Sequence, residues 1–406
     1  MSEGSAADNV RKEVAALQAQ LQVLEGLKTP EEGAEEFVQF VKLPAPAELK
    51  KPLLQYQKKS SLSSFPLYFS NIKKKMTLKI LITSDIHTNI EAIVLLTHWM
   101  AEKRIVVDFI LVPGDIADMK KEDQEIPEKL HSLGMGDASS VLSALEKIKT
   151  CVYFIPGNHD PKLTMKKNDK QEHLKLTQHS INLHEDAIEI EDGLVLCGFG
   201  GSCNAYNSVT GAIRWHGYPF IKEDESEIRT GINKLIKHVN MKFSKDSQIL
   251  LMTHVGPQNV KTTIDCSQKH HSLEEPILTG SNAIRSLLLH GTADDDTFDV
   301  SNNNNNNNKT KKENEVVNDN EKMHSSSDDN NKNNKIDTDR IFLNIHGHTH
   351  EGAGECKLGN TTIINPGALK EGKFAILTLK REEMDEENGL KKEKWVHANT
   401  RYYDLF

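Results

Sequence analysis

Aspartate and histidine recur in this chain in short clusters that a metal ion could use. They are Asp85-Ile86-His87, Gly114-Asp115, Gly157-Asn158-His159-Asp160 and Gly347-His348-Thr349-His350, with Thr253-His254 standing between the third and the fourth. Mixed nitrogen and oxygen donors suit manganese, iron, zinc or a similar transition metal better than calcium or magnesium. Asp85 and His87 are one residue apart, so an extended strand end would point both side chains the same way. Asp115 has two carboxylate oxygens and could bridge two cations, and Asn158 offers a neutral amide oxygen. His254, His348 and His350 complete the set. Gly114, Gly157 and Gly347 predict a sharp backbone turn just before each cluster's ligands. Two metals about 3.5–4 Å apart would clamp a phosphoryl group and bring the pKa of a bridging water to about 7.

Each fragment alone has a bland structural explanation; their order and setting give them weight. Every cluster follows an apolar run of strand length, at residues 78–83, 109–113, 151–155, 249–253 and 340–345. Helical periodicity appears between the runs: over 90–103 through Ile93, Leu96 and Met100, near 138–148, and over 228–239. This alternation predicts parallel βαβ units, which place the loops at the carboxyl ends of the strands on one edge of a sheet. Residues 187–190 and 194–199 predict a strand pair. Strands at 361–364 and 374–379 and a final segment at 395–405 follow. The last two are expected to form a hairpin around 382–394, with Trp395, Tyr402 and Tyr403 facing the body.

Composition sets the bounds. The 406 residues carry a net charge of −9, which argues against a nucleic-acid backbone as partner, and Lys73-Lys74-Lys75 reads as a solvated face. Hydrophobic residues make up 37% of the chain, so part of it is expected to lie outside any core. The five cysteines are odd in number and form no CxxC pair, which suggests neither a zinc ribbon nor a disulfide framework. Cys151 and Cys197 read as small buried hydrophobes. No apolar run approaches the roughly 18–20 residues of a membrane span, so a soluble, cytoplasmic protein is expected.

Residues 1–75 read as a helical extension and linker. Val14, Leu17, Leu21 and Leu24 repeat at helical spacing, Thr29-Pro30-Glu31-Glu32 resembles a capping box, and Phe37, Phe40 and Val41 give a second apolar face. This arm would pack on the main domain or dock a protein partner through residues 1–60. Residues 291–339, with the asparagine run 302–308, read as a disordered insertion that cannot bury enough surface to offset chain entropy. On that reading, replacing 294–338 with a short linker leaves the fold and the metal content intact.

The ordered set of clusters resembles the calcineurin-like metallophosphoesterases, whose pattern is D-x-H, GD, GNH[DE], H and GHxH. The resemblance covers about residues 76–290 and 340–380, and it implies an α/β fold, a four-layer α/β/β/α sandwich carrying a dinuclear metal centre. Carried over by motif, Asp85, His87 and His350 hold one metal, Asn158, His254 and His348 hold the second, and Asp115 bridges them. By the same resemblance His159 is not a ligand but protonates the leaving oxygen or stabilises charge in the transition state. Asp118 occupies the position that orients this histidine, and a helix N-cap is an equal alternative for it. In place of the GDxxDRG of the protein Ser/Thr phosphatases, Asp118 is followed by Met119-Lys120, so a phosphate-gripping arginine is missing there. Asp160 replaces their glutamate. Both differences point to the small, diverse phosphoesterases.

The expected function is hydrolysis of a phosphomonoester or phosphodiester by metal-bound hydroxide. A nuclease or cyclic nucleotide phosphodiesterase, or a scaffold docking through its N-terminal helices, are the alternatives. Gly198-Phe199-Gly200-Gly201-Ser202 lacks phosphate-loop spacing and reads as a tight turn after a strand. His270-His271 reads as a surface loop, and His346 as a core residue or one packed behind a ligand.

Overall fold

The apolar runs do form strands, and nearly all of them are buried on both faces, which is why they read as continuous rather than alternating. The computed structural model describes residues 75–266, 275–294, 335–385 and 391–406. The N-terminal arm, Lys73-Lys74, His270-His271 and residues 295–334 lie outside them.

In chain order, β1 (Thr77–Ile82) is followed by α1 (Ile90–Glu102), β2 (Phe109–Pro113), α2 (Gly136–Glu146), β3 (Cys151–Ile155) and β4 (Ser180–Asn182). Next come β5 (Asp186–Glu191), β6 (Leu194–Phe199), β7 (Ala205–Asn207), β8 (Ile213–Trp215), α3 (Ser226–Lys242) and β9 (Gln248–Thr253). The short strands β10 (Ile264–Asp265) and β11 (Ile277–Leu278) precede α4 (Asn282–His290). The chain ends with β12 (Ile341–Ile345), β13 (Gly354–Leu358), β14 (Thr361–Asn365), β15 (Lys373–Asp385) and β16 (Lys391–Asp404).

Two six-stranded mixed sheets result, ordered β16-β15-β1-β2-β3-β4 and β13-β14-β12-β9-β6-β5. β1 to β4 run parallel to one another, as do β6, β9, β12 and β14, with antiparallel partners at the outer positions. Strand alternation sorts side chains into three cores. Ile80, Ile82, Leu111, Leu250, Met252 and Ile345 fill the space between the sheets. Leu81, Ile110 and Val112 point the other way, onto Ile93, Leu96, Val141 and Leu142 of α1 and α2. Ile249, Leu251 and Ile341 meet Ile232, Leu235 and Leu287 of α3 and α4. Helix, sheet, sheet, helix: the expected four-layer sandwich is present.

Local chemistry sets the helix ends. Asn89 caps α1 by accepting from Ala92 N (3.1 Å), and Ser281 caps α4 by accepting from Ile284 N (3.3 Å). The buried carboxylate of Glu225 reinforces α4 by accepting from Asn282 N and Ala283 N (3.1 and 3.0 Å). Helix α4 and the four-stranded sheet β10-β11-β7-β8 are additional to the expected elements; the strands of that sheet, two or three residues each, are too short to show a period.

Two expectations need correction. Residues 382–394 are mostly strand, because β15 and β16 extend to Asp385 and Lys391. Their polar residues imitate a loop, yet cross-strand pairs such as Glu382 with Lys394 suit a solvated ribbon. Trp395 is buried, as expected, with the Arg381 guanidinium 4.7 Å over its ring. The second correction concerns the 291–339 segment, whose ends are packed. Ala293 and Ile336 are buried in the α3–α4 core, and Ile336 N donates to Gly291 O (2.9 Å). Arg340 then anchors the entry to β12 by donating to Ser247 O, Asn240 Oδ1 and Ser244 O (3.0, 3.1 and 2.9 Å).

Behind the β6 turn, buried His184 accepts a hydrogen bond from Gly200 N through Nδ1 (2.9 Å), which requires a deprotonated ring nitrogen. Burial first, then the charges of His173, Lys167 and Lys234, lower its pKa from 6.5 to about 3.

Two predictions follow from packing and from this histidine. Excising 295–334 should leave the melting temperature level, whereas excising 294–338 removes Ile336 and should cost about 2–5 kcal/mol, the range for losing a buried isoleucine side chain. Thermal melts of the two deletions decide it, and equal melts would place Ile336 outside the core. For His184, a folded-state pKa below the unfolded one means its contribution is complete above pH 6.5 and is lost as pH falls toward about 3. Chemical denaturation at a series of pH values should give His184→Gln a shallower stability loss over that window, by up to about 1.4 kcal/mol per pH unit. Parallel curves would refute the assignment.

Candidate metal centre

All nine residues singled out by sequence gather where the carboxyl ends of β1, β2 and β3 of one sheet face those of β9 and β12 of the other. Three groups have ligand atoms all within 4.8 Å of one another: Asp85, His87 and His350; His87, Asp115 and His159; and Asp115, His254 and His348. Asp115 belongs to two of them. Asn158 joins the last group, since its Oδ1 lies 2.8 Å from His254 Nε2.

The route by which Asp85 and His87 converge differs from the expected strand alternation. β1 ends at Ile82, and Asp85, His87 and Thr88 all have left-handed backbone (φ 53°, 49° and 60°). The turn is held by donation from Asp85 N to Gly114 O (3.1 Å), and from Ile86 N and His87 N to Asp115 O (2.8 and 3.0 Å). Asp115 and His348 are left-handed as well (φ 53° and 67°). Four of the seven expected ligands therefore occupy a region that non-glycine residues rarely adopt, a pattern found at sites the surrounding structure over-determines.

The glycines also act differently from the expectation. Of the three, Gly114 alone turns the chain through a positive φ (98°). Gly157 is required by proximity: a Cβ there would overlap Asp115 Oδ1 and N, and would lie 2.7 Å from His254 Cε1. At Gly347 a Cβ would overlap Ser84 Oγ and lie 2.5 Å from Asp85 Oδ2. These loops are packed backbone against functional group.

Charge and hydrogen bonding fit a cation. Asp85 and Asp115 are buried (1% exposed each), where an uncompensated carboxylate is costly. His254 Nδ1 donates to Pro113 O (2.8 Å), so Nε2 is left facing Asn158 Oδ1 and, at 3.4 Å, Asp115 Oδ2. A bare lone pair there would repel both oxygens, and only a proton or a metal ion relieves it. Burial lowers the basicity of His254, but Asp115 and Asp85 outweigh it and lift the pKa to about 9. Asp85 shows the reverse. Burial raises its pKa, but its contact with His350 (3.3 Å) and the charge of His254 bring it to about 2. Burial and the charge of His254 hold His348 neutral, with a pKa of about 3. His87 Nε2 and His348 Nε2 are buried without a hydrogen-bond partner among the described residues. Lone pairs with nothing to accept, beside two carboxylates, are what a transition-metal ligand set requires.

Asp118 caps no helix. Its Oδ1 lies 2.9 Å from His87 Nδ1 and 3.4 Å from His159 Nδ1, so one carboxylate faces both rings. The His159 side chain is 39% exposed, against 6% for His87 and 26% for His350, and its backbone N–H donates to Asp115 Oδ1 (2.8 Å).

Several further residues hold these loops in place. Asp160 accepts from Ala117 N and Gly157 N (2.7 Å each), tying the loop after β2 to the loop after β3. Its one visible signal was the acidic position ending GNH[DE]. Asn365 donates to Thr349 O (2.8 Å), and Thr279 Oγ1 meets Thr349 Oγ1 (2.6 Å), between the two histidines of the last motif. His346 is a satisfied core residue: Nδ1 donates to Gly347 O (2.9 Å) and Nε2 accepts from Thr262 Oγ1 (2.8 Å).

The sequence profile of the calcineurin-like phosphoesterases matches residues 78–280, half of the 406-residue chain. Together with the sandwich and its loop cluster, this places the chain in that family of metal-dependent hydrolases. A comparison with curated proteins finds no match. Among solved structures, a dimetal phosphatase from Danio rerio is 10% identical, covering 80% of this chain and 100% of its own, with a TM-score of 0.41. An archaeal phosphodiesterase is 12% identical, covering 79% and 100%, with a TM-score of 0.28. GAP50, the anchor in the inner membrane complex of Plasmodium, is 11% identical, covering 81% and 89%, with a TM-score of 0.35. Likenesses this distant bear on neither substrate nor mechanism. Among the described residues no helix is long and apolar enough to cross a membrane.

Gly157→Ala tests the packing of the centre directly. The added methyl must displace Asp115 and His254, so affinity for Mn²⁺ or Zn²⁺, measured by titration, should fall by about tenfold or more, in line with losing the support behind a ligand. Circular dichroism should remain native. Unchanged metal affinity in the variant would rule out a site at these residues.

Proposed function

We propose that the chain is a phosphoesterase that hydrolyses a phosphomonoester or phosphodiester at a centre holding two transition-metal ions. The observation that carries the reading is the position of Asp115, a buried carboxylate that clusters with His254 and His348 on one side and lies 3.7 Å from His87 Nε2 on the other. Asp85, His87 and His350 would hold one ion, and Asn158, His254 and His348 the other, with Asp115 common to both. Manganese, iron or zinc suits this donor set. Bound there, such ions supply Lewis-acid charge toward a phosphoryl oxygen and lower the pKa of water.

The remaining chemistry belongs to the chain. His159 lies at the open rim, where its imidazolium can give a proton to the leaving-group oxygen. Asp118 faces His159 Nδ1 and would stabilise the ring in its charged form. The same carboxylate faces His87 Nδ1 and fixes that ring's tautomer, so that Nε2 is the free donor. The Pro113 carbonyl does the same for His254. Domain limits follow this reading: residues 76–290 and 340–406 carry the hydrolase, extended by the packed flanks 291–294 and 335–339. The five unpaired cysteines are in keeping with a reducing, cytosolic setting.

A panel of phosphomonoesters, phosphodiesters and phosphopeptides, assayed with metal-reconstituted protein, tests the activity. Asp115→Asn should abolish turnover and weaken both metals, because the shared ligand loses its charge. Full turnover with two metals per chain in that variant would contradict the assignment. His159→Ala should keep both metals and lose rate by about two to four orders of magnitude on poor leaving groups. The loss should shrink for nitrophenyl esters, and equal losses across leaving groups would exclude His159 as the proton donor.

A further inference from the structure

Asp118 and His159 face each other with their side chains 57% and 39% exposed, too open for packing alone to hold them in place. An ion pair this open contributes little to its own alignment. The 3.4 Å approach of Asp118 Oδ1 to His159 Nδ1 must therefore be set from behind, by the backbone. One bond does so directly: Met119 N, next to Asp118, donates to His159 O (2.9 Å).

A second device lies in the segment between Asp118 and α2, where no sequence motif marks it. Gln124, on the turn Lys121–Glu125, is buried (6% exposed) within a run of mostly exposed charged residues. Its Nε2 donates to Asp160 O (2.6 Å), and its Oε1 accepts from Lys162 N (2.7 Å). One side-chain amide thus pairs with the backbone on both sides of Pro161, as a neighbouring strand would. Burying an amide is costly unless its donor and its acceptor are both used, as they are here. The same segment packs where the amide grips. Gly134, in the π-helical stretch Leu130–Met135, has no room for a side chain: a Cβ there would overlap Met119 Sδ and lie 2.8 Å from Pro161 Cγ. Hydrogen bonds from residues 119–124 to His159 O, Asp160 O and Lys162 N therefore fix the chain at and just after His159.

We propose that Gln124 is a positioning residue for His159, holding the loop after β3 so that the imidazole stays on Asp118, with its effect confined to esters with poor leaving groups. This rests on the phosphoesterase reading above, in which His159 gives the proton. A displaced donor loses rate only where the leaving oxygen needs that proton.

The test uses full-length, metal-loaded protein with phenyl and nitrophenyl esters of the class, monoester or diester, that the wild type turns over. Gln124→Met has similar length and no hydrogen bonding, and Gln124→Glu keeps the acceptor for Lys162 N. Gln124→Met should lose about tenfold in kcat on the phenyl ester and less than about threefold on the nitrophenyl ester, with metal content and circular dichroism unchanged. Gln124→Glu should fall between it and the wild type. In a His159→Ala background, Gln124→Met should add no further loss on the phenyl ester. Hydrogen–deuterium exchange, read without turnover, should be faster at the Met119 and Lys162 amides in Gln124→Met. Equal losses on the two esters, loss of metal, additive losses with His159→Ala, or unchanged exchange at Met119 would each overturn the proposal. Should Gln124→Met fail to fold, Gln124→Glu carries the same comparison of esters and of Met119 exchange. A leaving-group effect in His159→Ala but none in Gln124→Met overturns this proposal alone. No such effect in His159→Ala, or no turnover by the wild type, overturns the reading it rests on and the proposal with it.

Discussion

A buried carboxylate cannot stand alone, and Asp115 is nearly inaccessible at the junction of two sheets. Its compensation comes from three directions. His159 N donates to Oδ1 from the loop after β3, His254 faces Oδ2 from the second sheet, and His87 approaches at 3.7 Å from the loop after β1. No single element can supply all of these. The two sheets must face each other with their carboxyl ends aligned, and the interleaved apolar core between them makes that alignment rigid. Much of the architecture therefore serves to hold one charged group where water cannot solvate it.

The same demand explains the backbone. Asp85, His87, Asp115 and His348 are held in left-handed conformations by hydrogen bonds between loops, such as Gly347 N to His254 O (3.0 Å) and His348 N to both Asp85 oxygens (3.1 and 3.0 Å). Each bond joins two motifs, so no loop can relax without disturbing another. Glycines at 157 and 347 allow neighbouring loops to come within contact of the carboxylates. Asp160 ties the backbone of two such loops together. Stability given up locally is offset by the helix-covered sheets, whose apolar faces are fully buried.

What the sequence made legible was whatever is local. Runs such as Phe109–Pro113 and Cys151–Ile155, buried on both faces and followed by glycine and aspartate or asparagine, read correctly as strands with motif loops. The candidate site residues could be picked out because their types and order along the chain are independent of folding. Other features depend on contacts across long separations. Asn89 and Lys370 meet across 281 positions, so nothing near Lys370 announces its place beside Asp85. Ile336 follows a polar tract whose composition masks a core residue. The outer half of the β15–β16 ribbon carries charge pairs where a buried strand would carry apolar ones, and it imitated a loop. Convergence of Asp85 and His87 was anticipated for a different reason, because left-handed turns at non-glycine residues leave no signature in composition.

Anomalous diffraction from crystals grown with manganese tests the shared carboxylate most directly. Two manganese peaks about 3.5–4 Å apart are expected, with the Asp115 carboxylate between them, His87 and His350 on one peak, and His254 and His348 on the other. A single peak, or peaks that leave Asp115 outside the coordination of both ions, would contradict a centre built around that residue.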